Sequence, residues 1–352
     1  MFFKSKDKTE CFGDFSCMDI CPNGAIIQTI GDDSFLYPKI EKDLCIGCGL
    51  CEKVCTNIKN IKMKKTIECF SGKINDDISY KKSSSGGAFE AIVRSIYSKI
   101  KKDGTLFVAG AIWDENLQVK HIVKRMTEKI DLECFYKSKY IQSNSKGIYV
   151  KIKEILADLK NVVVFSGTPC QIVGLYSFLN DIPNNLITID LICRGGQSQE
   201  NFNKYKYNLE KSNKSCVVKY IFRNKEQLDN GTIYSRSAKI CFANGLEKKV
   251  TYKTDEFLKE FYLKTYKQRY SCRNCKYSNK NRVGDFTIGD AWGIEEYINE
   301  LNSIQGCSLL MCNSPVAISY INDIKRYMKL FNVEYQIMVD NNAGLKGIKR
   351  NE

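Results

Sequence analysis

The sequence predicts a mixed α/β (α+β) protein, in which a small cysteine-rich domain is followed by a larger α/β portion. Three observations support this prediction. The chain has 352 residues, which at roughly 150 residues per domain corresponds to two or three domains. Seven of its 17 cysteines fall within the first 55 residues. Beyond Lys65, apolar segments with the spacing of strands alternate with segments that have the spacing of helices.

A cysteine group between residues 45 and 55 has the spacing of an iron–sulfur site. Its members are Cys45, Cys48, Cys51 and Cys55, in the order C-x2-C-x2-C-x3-C. In bacterial ferredoxins, three thiolates of such a run bind one cluster and the fourth binds the neighbouring cluster. Two zinc sites are the alternative, but zinc-binding C-x2-C pairs are usually separated by a longer loop.

An earlier group repeats the same register with one replacement. It consists of Cys11, Asp14, Cys17 and Cys21, followed by Pro22. Two such halves in one short segment are typical of a two-cluster ferredoxin. Each half is followed or preceded by a short strand-like segment, at 25–28 and at 35–40, as this small fold needs. Residues 1–65 are therefore predicted to form a ferredoxin-like domain with two 4Fe–4S clusters.

The crossed-ligand rule of these ferredoxins assigns four residues to each cluster. Cluster one takes Cys11, Asp14, Cys17 and Cys55. Cluster two takes Cys21, Cys45, Cys48 and Cys51. Because a carboxylate is a harder and weaker ligand for this iron than a thiolate, Asp14 predicts a labile corner and a 3Fe–4S form of cluster one. In the alternative, Asp14 is a surface loop residue and three thiolates alone hold the cluster.

Two predicted strands of the larger portion each lead to a cysteine. Residues 161–165 form a strand that is followed by Cys170 and a helix, and residues 186–192 form a strand that ends at Cys193. Ligands of α/β sheets bind at such strand ends. A C-x2-C pair follows at Cys272 and Cys275. These four cysteines are candidates for a third cluster, and a zinc knuckle or a redox pair is an equal alternative for the C-x2-C pair.

A serine–glycine turn at 83–87 opens a segment whose apolar residues fall on one helical face. Free N–H groups at a helix start suit a phosphate, and ordinary capping by serine explains the turn equally well. Six further cysteines lie in apolar or irregular surroundings and are expected to be buried small hydrophobes. They are Cys69, Cys134, Cys216, Cys241, Cys307 and Cys312.

Composition and net charge exclude several classes of protein. A content of 43% apolar and 27% charged residues excludes a disordered chain. No apolar segment approaches the ~20 residues of a membrane span, and none resembles a signal peptide, so a cytoplasmic protein is expected. His121 is the single histidine, which excludes sites built on paired imidazoles. The net charge of +14 fits an acidic redox partner or substrate, and no basic–aromatic motif indicates nucleic-acid binding.

Five motifs occur in an order that resembles a known family. They lie at 84–89 (SSGGAF), 138–143 (SKYIQS), 167–171 (GTPCQ), 190–193 (DLIC) and 272–293. Together they resemble the beta subunits of coenzyme F-420 hydrogenases and dehydrogenases, whose coenzyme is a deazaflavin. The chain looks most like bacterial members with an N-terminal two-cluster ferredoxin domain, often encoded near enzymes of polysaccharide biosynthesis. The resemblance implies that 66–155 and 156–352 are the two parts of one beta-subunit-like domain.

The resemblance also implies FAD and a third 4Fe–4S cluster, here called the inner cluster, in the second part. A cradle for the flavin pyrophosphate would comprise Ser85, Gly86 and Gly87. Further flavin contacts would come from Lys139, Tyr140, Gln142, Ser143, Thr168 and Pro169. The inner cluster would be held by Cys170, Cys193, Cys272 and Cys275.

The activity implied is that of an iron–sulfur flavoprotein oxidoreductase. Its partners would be a redox protein, either a ferredoxin or another oxidoreductase subunit, and a small organic acceptor. Lys139 and Arg194 are candidate catalytic residues that would stabilise an anionic reduced flavin or an acidic substrate. Arg194 stands where the family more usually has histidine, so a proton-donating role is not expected there. The alternative is a non-catalytic iron–sulfur carrier or partner subunit that has lost the substrate site.

Overall fold

The computed structural model describes residues 2–100, 104–128, 130–225, 236–263 and 268–347. Its strands are β1 Ile26–Ile30, β2 Leu36–Ile40, β3 Glu68–Ile74, β4 Thr105–Trp113, β5 Val119–Arg125, β6 Asn161–Gly167, β7 Leu186–Leu191, β8 Val217–Phe222, β9 Ser237–Phe242, β10 Glu247–Thr251, β11 Phe286–Asp290, β12 Ser308–Cys312 and β13 Met328–Asn332. Its α-helices are α1 Phe2–Ser5, α2 Ser16–Asp19, α3 Leu50–Lys53, α4 Asp77–Lys82, α5 Ala88–Ile100, α6 Ile148–Leu156, α7 Pro169–Leu179, α8 Gln199–Asn213, α9 Glu256–Leu263, α10 Tyr270–Arg273, α11 Pro315–Ser319, α12 Ile321–Tyr327 and α13 Tyr335–Asn341. The predicted mixed α/β fold is confirmed.

A short antiparallel hairpin organises the cysteine-rich N-terminal region. β1 pairs with β2, close to the predicted segments at 25–28 and 35–40. The one-turn helices α2 and α3 contact each other, and Phe15, Met18 and Ile26 form a small buried core. Because little apolar surface is buried within this region alone, we expect its stability to depend on contacts with the rest of the chain.

An eight-stranded mixed sheet forms the centre of the larger portion, in the order β13-β3-β12-β11-β7-β6-β4-β5. β4, β6, β7 and β11 run parallel, whereas β5 on one side and β12, β3 and β13 on the other pair antiparallel with their neighbours. The strands predicted at 161–165 and 186–192 are β6 and β7. Since β3, β4 and β5 come from 66–155 and the other strands come from 156–352, both predicted parts build one sheet.

Side chains of β6 alternate between two cores, one on each face of the sheet. Val164 packs in the core that contains α5, whereas Val163 and Phe165 pack in the core that contains α6 and α7. A strand covered by helices on both faces needs an unbroken apolar run, which explains the sequence Val162–Phe165. The second core holds α7 in place, with Cys170 in its first turn.

A three-stranded sheet, β10-β9-β8, forms a smaller unit beside the central sheet. An aromatic core built from β8, α8 and α9 supports it, and its centre is formed by Phe202, Tyr220 and Phe257. The rings of Phe202 and Tyr220 meet edge to face with centroids 5.3 Å apart, an arrangement that favours aromatic pairs.

A buried ion pair fixes the carboxyl end of β7. Asp190 Oδ1 accepts a hydrogen bond from Arg282 Nη2 at 2.8 Å, and Oδ2 accepts from the backbone N–H groups of Val283 and Gly284 at 3.0 and 2.9 Å. Both charged side chains are inaccessible to solvent. Cys193 follows three residues after Asp190, so this pair connects the predicted inner-cluster ligand to the loop that precedes β11.

The single histidine, His121 on β5, is buried and neutral. Its Nε2 lies 3.1 Å from the Ser166 carbonyl oxygen, and its Nδ1 lies 2.9 Å from Ser143 Oγ. In this pairing Nε2 donates to the carbonyl and Nδ1 accepts from the hydroxyl. Burial lowers the pKa of His121 to about 4.

We expect the protein to lose stability as the pH falls from about 6.5 towards 4. The unfolded chain binds a proton at His121 near pH 6.5, whereas the folded chain resists it until about pH 4. The free energy of unfolding therefore keeps its full value, as far as His121 is concerned, above pH 6.5. It decreases as the pH falls from 6.5 towards 4, by about 3 kcal/mol at most. Urea unfolding of His121→Gln should show a shallower decline between pH 6.5 and 5. Parallel stability curves for the two proteins would exclude His121 as the cause.

Candidate functional site

The residues assigned to cluster two surround one cavity near the protein surface. Its lining includes Cys21, Cys45, Cys48 and Cys51. Cys45 and Cys48 are exposed. Gly47 and Gly49 adopt φ angles of 68° and 72°, which glycine tolerates without strain, and this allows the loop to turn around the cavity. The structure therefore brings this set together at the surface.

The residues assigned to cluster one surround a second cavity. Its lining includes Cys11, Asp14, Cys17 and Cys55. Burial raises the pKa of the Cys11 thiol to about 11 and that of Cys17 well above its usual value. A thiol must lose its proton to bind iron, so these thiolates need the positive charge of a bound metal centre.

Asp14 is buried, and its carboxylate accepts three hydrogen bonds from within the N-terminal region. Oδ1 accepts from the backbone N–H of Ser16 at 3.0 Å and from Ser16 Oγ at 2.5 Å, and Oδ2 accepts from Thr56 Oγ1 at 2.7 Å. Its exposure of 7% shows that the alternative of a surface loop residue is wrong. Three of about four lone-pair positions are occupied, so iron at this corner would compete with those donors.

The four cysteines of the predicted inner cluster come together from three parts of the fold. Cys170 lies in the first turn of α7, Cys193 follows β7, and Cys272 and Cys275 lie in and after α10. Burial and then the nearby thiols of Cys275, Cys193 and Cys272 raise the pKa of Cys170 well above its usual value. Among the described residues, no three Cys, His, Asp or Glu side chains have the spacing of a single metal ion.

Residues 269–277, here called the connector, carry two predicted inner-cluster ligands and contact the N-terminal region at both ends. Ser271 Oγ donates to the Cys11 carbonyl oxygen at 2.8 Å. Tyr277 Oη donates to the Thr56 carbonyl oxygen at 2.7 Å, next to Cys55. The connector therefore links the cysteines of cluster one to those of the inner cluster. Sequence reasoning missed Ser271 and Tyr277, because only their position beside a C-x2-C pair distinguishes them.

Gly174 allows the N-terminal region to approach α7 closely. A Cβ atom at this position would lie 2.8 Å from Asp14 Oδ1 and 2.8 Å from Tyr149 Oη. Cys170 lies one helical turn earlier on the same helix. The two cysteine sets therefore meet across α7 as well as along the connector.

The predicted phosphate cradle packs closely against the central sheet. A Cβ atom at Gly86 would lie 2.1 Å from the carbonyl oxygen of Gly72, which requires glycine at this position. Ser85 Oγ donates to the Cys307 carbonyl oxygen at 2.8 Å, and Gly87 has a φ of 91°. These contacts explain why glycine occupies both positions. The proposed contact of this loop with a phosphate stays a prediction.

Two lysines that sequence reasoning missed also contact this loop. Lys225 Nζ donates to the Ser85 carbonyl oxygen at 2.6 Å, and Lys137 Nζ donates to the Ser83 carbonyl oxygen at 3.1 Å. Burial, followed by the charges of Lys137 and Arg223, lowers the pKa of Lys225 to about 6. No motif marks these lysines in a chain with 54 basic residues.

Lys139, a candidate catalytic residue, directs its ammonium group to backbone carbonyls. Nζ lies between 2.9 and 3.3 Å from the carbonyl oxygens of Cys134, Phe135 and Tyr136. Burial lowers its pKa to about 7. Because all three donors of an ammonium group are occupied, these contacts favour a structural role for Lys139 over the predicted catalytic and flavin-binding roles.

Gln142 and Ser143 likewise have partners within the protein. Gln142 Nε2 donates to the Phe12 carbonyl oxygen at 2.8 Å, and Gln142 Oε1 accepts from Arg269 Nε at 2.8 Å. Ser143 Oγ accepts from Gln171 Nε2 at 3.0 Å. Gln142 thus joins the connector to the N-terminal region, a role that differs from the predicted contact with flavin.

The remaining residues predicted to contact flavin, Tyr140, Thr168 and Pro169, also have contacts within the protein. Tyr140 stacks on Phe261 with ring centroids 4.2 Å apart. Thr168 forms a capping box with Gln171 at the start of α7, and Pro169 occupies the first turn, where its fixed φ suits a helix. Thr168 Oγ1 also lies 3.1 Å from Cys170 Sγ, which places it beside the inner-cluster set.

Arg194 is partly buried directly after Cys193. Its carbonyl oxygen accepts a hydrogen bond from Gln268 Nε2 at 3.2 Å, so this turn is tied to the residue preceding the connector. The structure therefore places Arg194 beside the inner-cluster cysteines, and its catalytic role stays a prediction.

The six cysteines outside the three sets differ in their exposure. Cys69, Cys307 and Cys312 are buried, as expected for small hydrophobes, and Cys134 and Cys241 are partly buried. Cys216 is exposed, so the expectation of burial is wrong there. It precedes β8 at the edge of the small sheet, outside the apolar core.

Comparison with known families matches two parts of the chain. Residues 38–57 match the 4Fe-4S binding domain. Residues 160–334 match the family described as the C terminus of the coenzyme F-420 hydrogenase/dehydrogenase beta subunit. No curated protein matches the chain.

A chain of the F-420-reducing NiFe hydrogenase complex from Methanosarcina barkeri has a similar fold. Its TM-score is 0.50 at 18% sequence identity, and the match covers 81% of this chain and 92% of that one.

Within the described residues, none of the helices has the length and apolar character needed to cross a membrane.

Proposed function

The chain belongs to the coenzyme F-420 hydrogenase/dehydrogenase beta-subunit family, and from this premise we propose that it holds three iron–sulfur clusters in one electron-transfer path. An iron–sulfur oxidoreductase is the activity that this family implies. When bound, such clusters accept and release single electrons. Residues 1–65 would form the ferredoxin-like domain, and 66–155 with 156–352 would form the beta-subunit-like domain.

The ligands proposed for these clusters are the three sets that the fold brings together. Cluster two takes Cys21, Cys45, Cys48 and Cys51. Cluster one takes Cys11, Cys17 and Cys55, with Asp14 at the fourth corner. The inner cluster takes Cys170, Cys193, Cys272 and Cys275. The donor sets fit the groups, because thiolates are the ligands that iron–sulfur clusters use.

The connector is the observation that carries this proposal. Two of its residues, Cys272 and Cys275, belong to the inner set, while Ser271 and Tyr277 bond the backbone beside two cluster-one ligands. A segment fixed at both ends holds the two sets at a constant separation. That constant separation is what transfer between neighbouring redox centres requires.

We propose that an external redox protein, a ferredoxin or another oxidoreductase subunit, binds beside cluster two. Cys45 and Cys48 are exposed there, and the apolar side chains of Leu44 and Ile46 around them are 53% and 65% exposed. The structural relative belongs to a hydrogenase complex, which agrees with a partner subunit. Oxygen-sensitive clusters also favour the reducing cytoplasm as the location.

We further propose FAD and a small organic acceptor, either the deazaflavin coenzyme or a substrate linked to polysaccharide biosynthesis. This part rests on the family and on the amino groups of Lys137 and Lys225, which contact the serine–glycine loop. The residues predicted to bind the flavin do not fit that role as a set, because their polar atoms are bonded within the protein.

Those internal bonds favour a second candidate, an iron–sulfur carrier subunit without a flavin. Lys139, Gln142 and Ser143 each have protein partners for their polar atoms. Such a subunit would keep the three cysteine sets and would act only in complex with another enzyme.

Iron, zinc and flavin content of anaerobically purified protein tests the proposal. About twelve irons and one flavin per chain are expected for the enzyme. About twelve irons without flavin would favour the carrier, and about eight would contradict the inner cluster. Zinc in place of iron would overturn both candidates.

A further inference from the structure

Arg269, the first residue of the connector, is a buried cation with neutral partners. Its exposure is 1%. It donates to Gln142 Oε1 at 2.8 Å, to the Leu36 carbonyl oxygen at 2.7 Å and to the Cys11 carbonyl oxygen at 3.4 Å. Its guanidinium carbon lies 4.5 Å from the centroid of the Tyr37 ring. In the described part of the chain, none of these hydrogen-bond partners carries a negative charge.

A buried charge without an opposite charge is costly, because neutral acceptors replace only part of its hydration. The cavity of cluster one supplies the missing charge, since its thiolate ligands are anionic when iron is bound. Arg269 bonds the backbone of one of them, Cys11, and contacts Gly13, whose Cβ position would lie 2.6 Å from its guanidinium carbon. Glu10 and Asp14 also line this cavity, and their negative charge opposes the effect of the cation on a bound cluster.

The cavity of cluster two has different electrostatics. Among the described residues, its lining contains no charged side chain. Cys45 and Cys48 are exposed there, so water and salt screen the charge of a cluster at this site. A buried cation beside a cluster stabilises the more negative, reduced form, and the net charge around a cluster is one determinant of its reduction potential.

We propose that Arg269 is a positioning residue that holds the Cys11 loop against the connector and raises the reduction potential of cluster one above the value this cluster would have beside a neutral side chain. The inference rests on the proposed function, because it requires both clusters to be bound. Arg269 lies outside every cysteine motif. Among the described residues, no charged side chain lines the cavity of cluster two, so replacing Arg269 should affect cluster one alone.

The test is a redox titration of the anaerobic, cluster-loaded protein, in which electron paramagnetic resonance measures how much of each cluster is reduced. Dithionite is the reductant and ferricyanide the oxidant, and each cluster gains or loses one electron. In Arg269→Gln, the ratio of reduced to oxidised cluster one at a fixed potential should fall at least tenfold, equal to about 59 mV for a one-electron couple. The ratio for cluster two should not change, which makes it an internal reference.

Two further variants separate charge from position. Arg269→Lys keeps the charge and should keep most of the wild-type potential. Ser271→Ala removes another hydrogen bond to the same Cys11 carbonyl oxygen without changing the charge. In this variant, the ratio of reduced to oxidised cluster one at the same fixed potential should change less than threefold. Loss of cluster one in Arg269→Gln but not in Arg269→Lys would also support the inference.

An unchanged ratio for cluster one in Arg269→Gln, with both clusters bound, would overturn the inference and leave the proposed function intact. Absence of both clusters from the wild-type protein would instead overturn the proposed function, on which the inference depends. The two failures are therefore distinguishable from the iron content of the starting material.

Discussion

Replacing Cys170 with serine is expected to remove the inner cluster while leaving the fold and the other two clusters in place. Cys170 lies in the first turn of α7, where burial and then the nearby thiols of Cys275, Cys193 and Cys272 raise its pKa. A serine hydroxyl is a harder and poorer ligand for this iron than a thiolate. The side chains are similar in size, and the helix keeps its capping box at Thr168, so the fold should survive.

Iron content is the direct measurement for Cys170→Ser. It should fall by about four atoms per chain, and the resonance signals of clusters one and two should remain. The matched control is Cys216→Ser, because Cys216 is exposed and belongs to none of the three sets. A Cys170→Ser protein with the full iron content and wild-type electron transfer to its acceptor would contradict the role of Cys170.

Replacing Asp190 with asparagine should lower the free energy of unfolding by about 3–5 kcal/mol. The substitution leaves the Arg282 guanidinium buried without its counter-charge. It also replaces one of the oxygens that accept hydrogen bonds from Arg282 and from the backbone of Val283 and Gly284. Because burial removes the screening that weakens surface ion pairs, the loss should approach the full penalty.

Urea unfolding of wild-type and variant protein with the same cluster content measures this loss. Asp181→Asn is the control, since it removes the same charge from an exposed position and should change stability by less than about 0.5 kcal/mol. A loss below about 1 kcal/mol in Asp190→Asn would show that Arg282 finds another partner.

Local spacing explains what could be predicted from the sequence. Each cysteine run is short, so the chain geometry alone keeps its members near one another, and the two N-terminal sets do surround separate cavities. The apolar run at 162–165 likewise predicts a strand covered on both faces, and β6 confirms it. These features depend on neighbours in the sequence.

Contacts between distant segments explain what could not be predicted. Arg269 bonds a carbonyl oxygen 258 positions away, and no periodicity or motif indicates that pairing. The polar groups of Lys139 and Gln142 have protein partners that a motif does not specify. A motif identifies residue types at a spacing, whereas the partner of each side chain is fixed only when the whole sheet has formed.

The connector has a consequence for the order in which the protein matures. Its bond from Ser271 to Cys11 spans 260 positions, and β3 pairs with the late strands β12 and β13. During synthesis, the N-terminal cysteines therefore leave the ribosome long before the connector that bonds their backbone. The residues that line both N-terminal cavities lie between positions 2 and 56, so all of them are synthesised early. The carbonyl oxygens of Cys11 and Thr56 gain their hydrogen bonds from Ser271 and Tyr277 only after translation has passed residue 277, so we expect the N-terminal region to reach its final contacts late in folding.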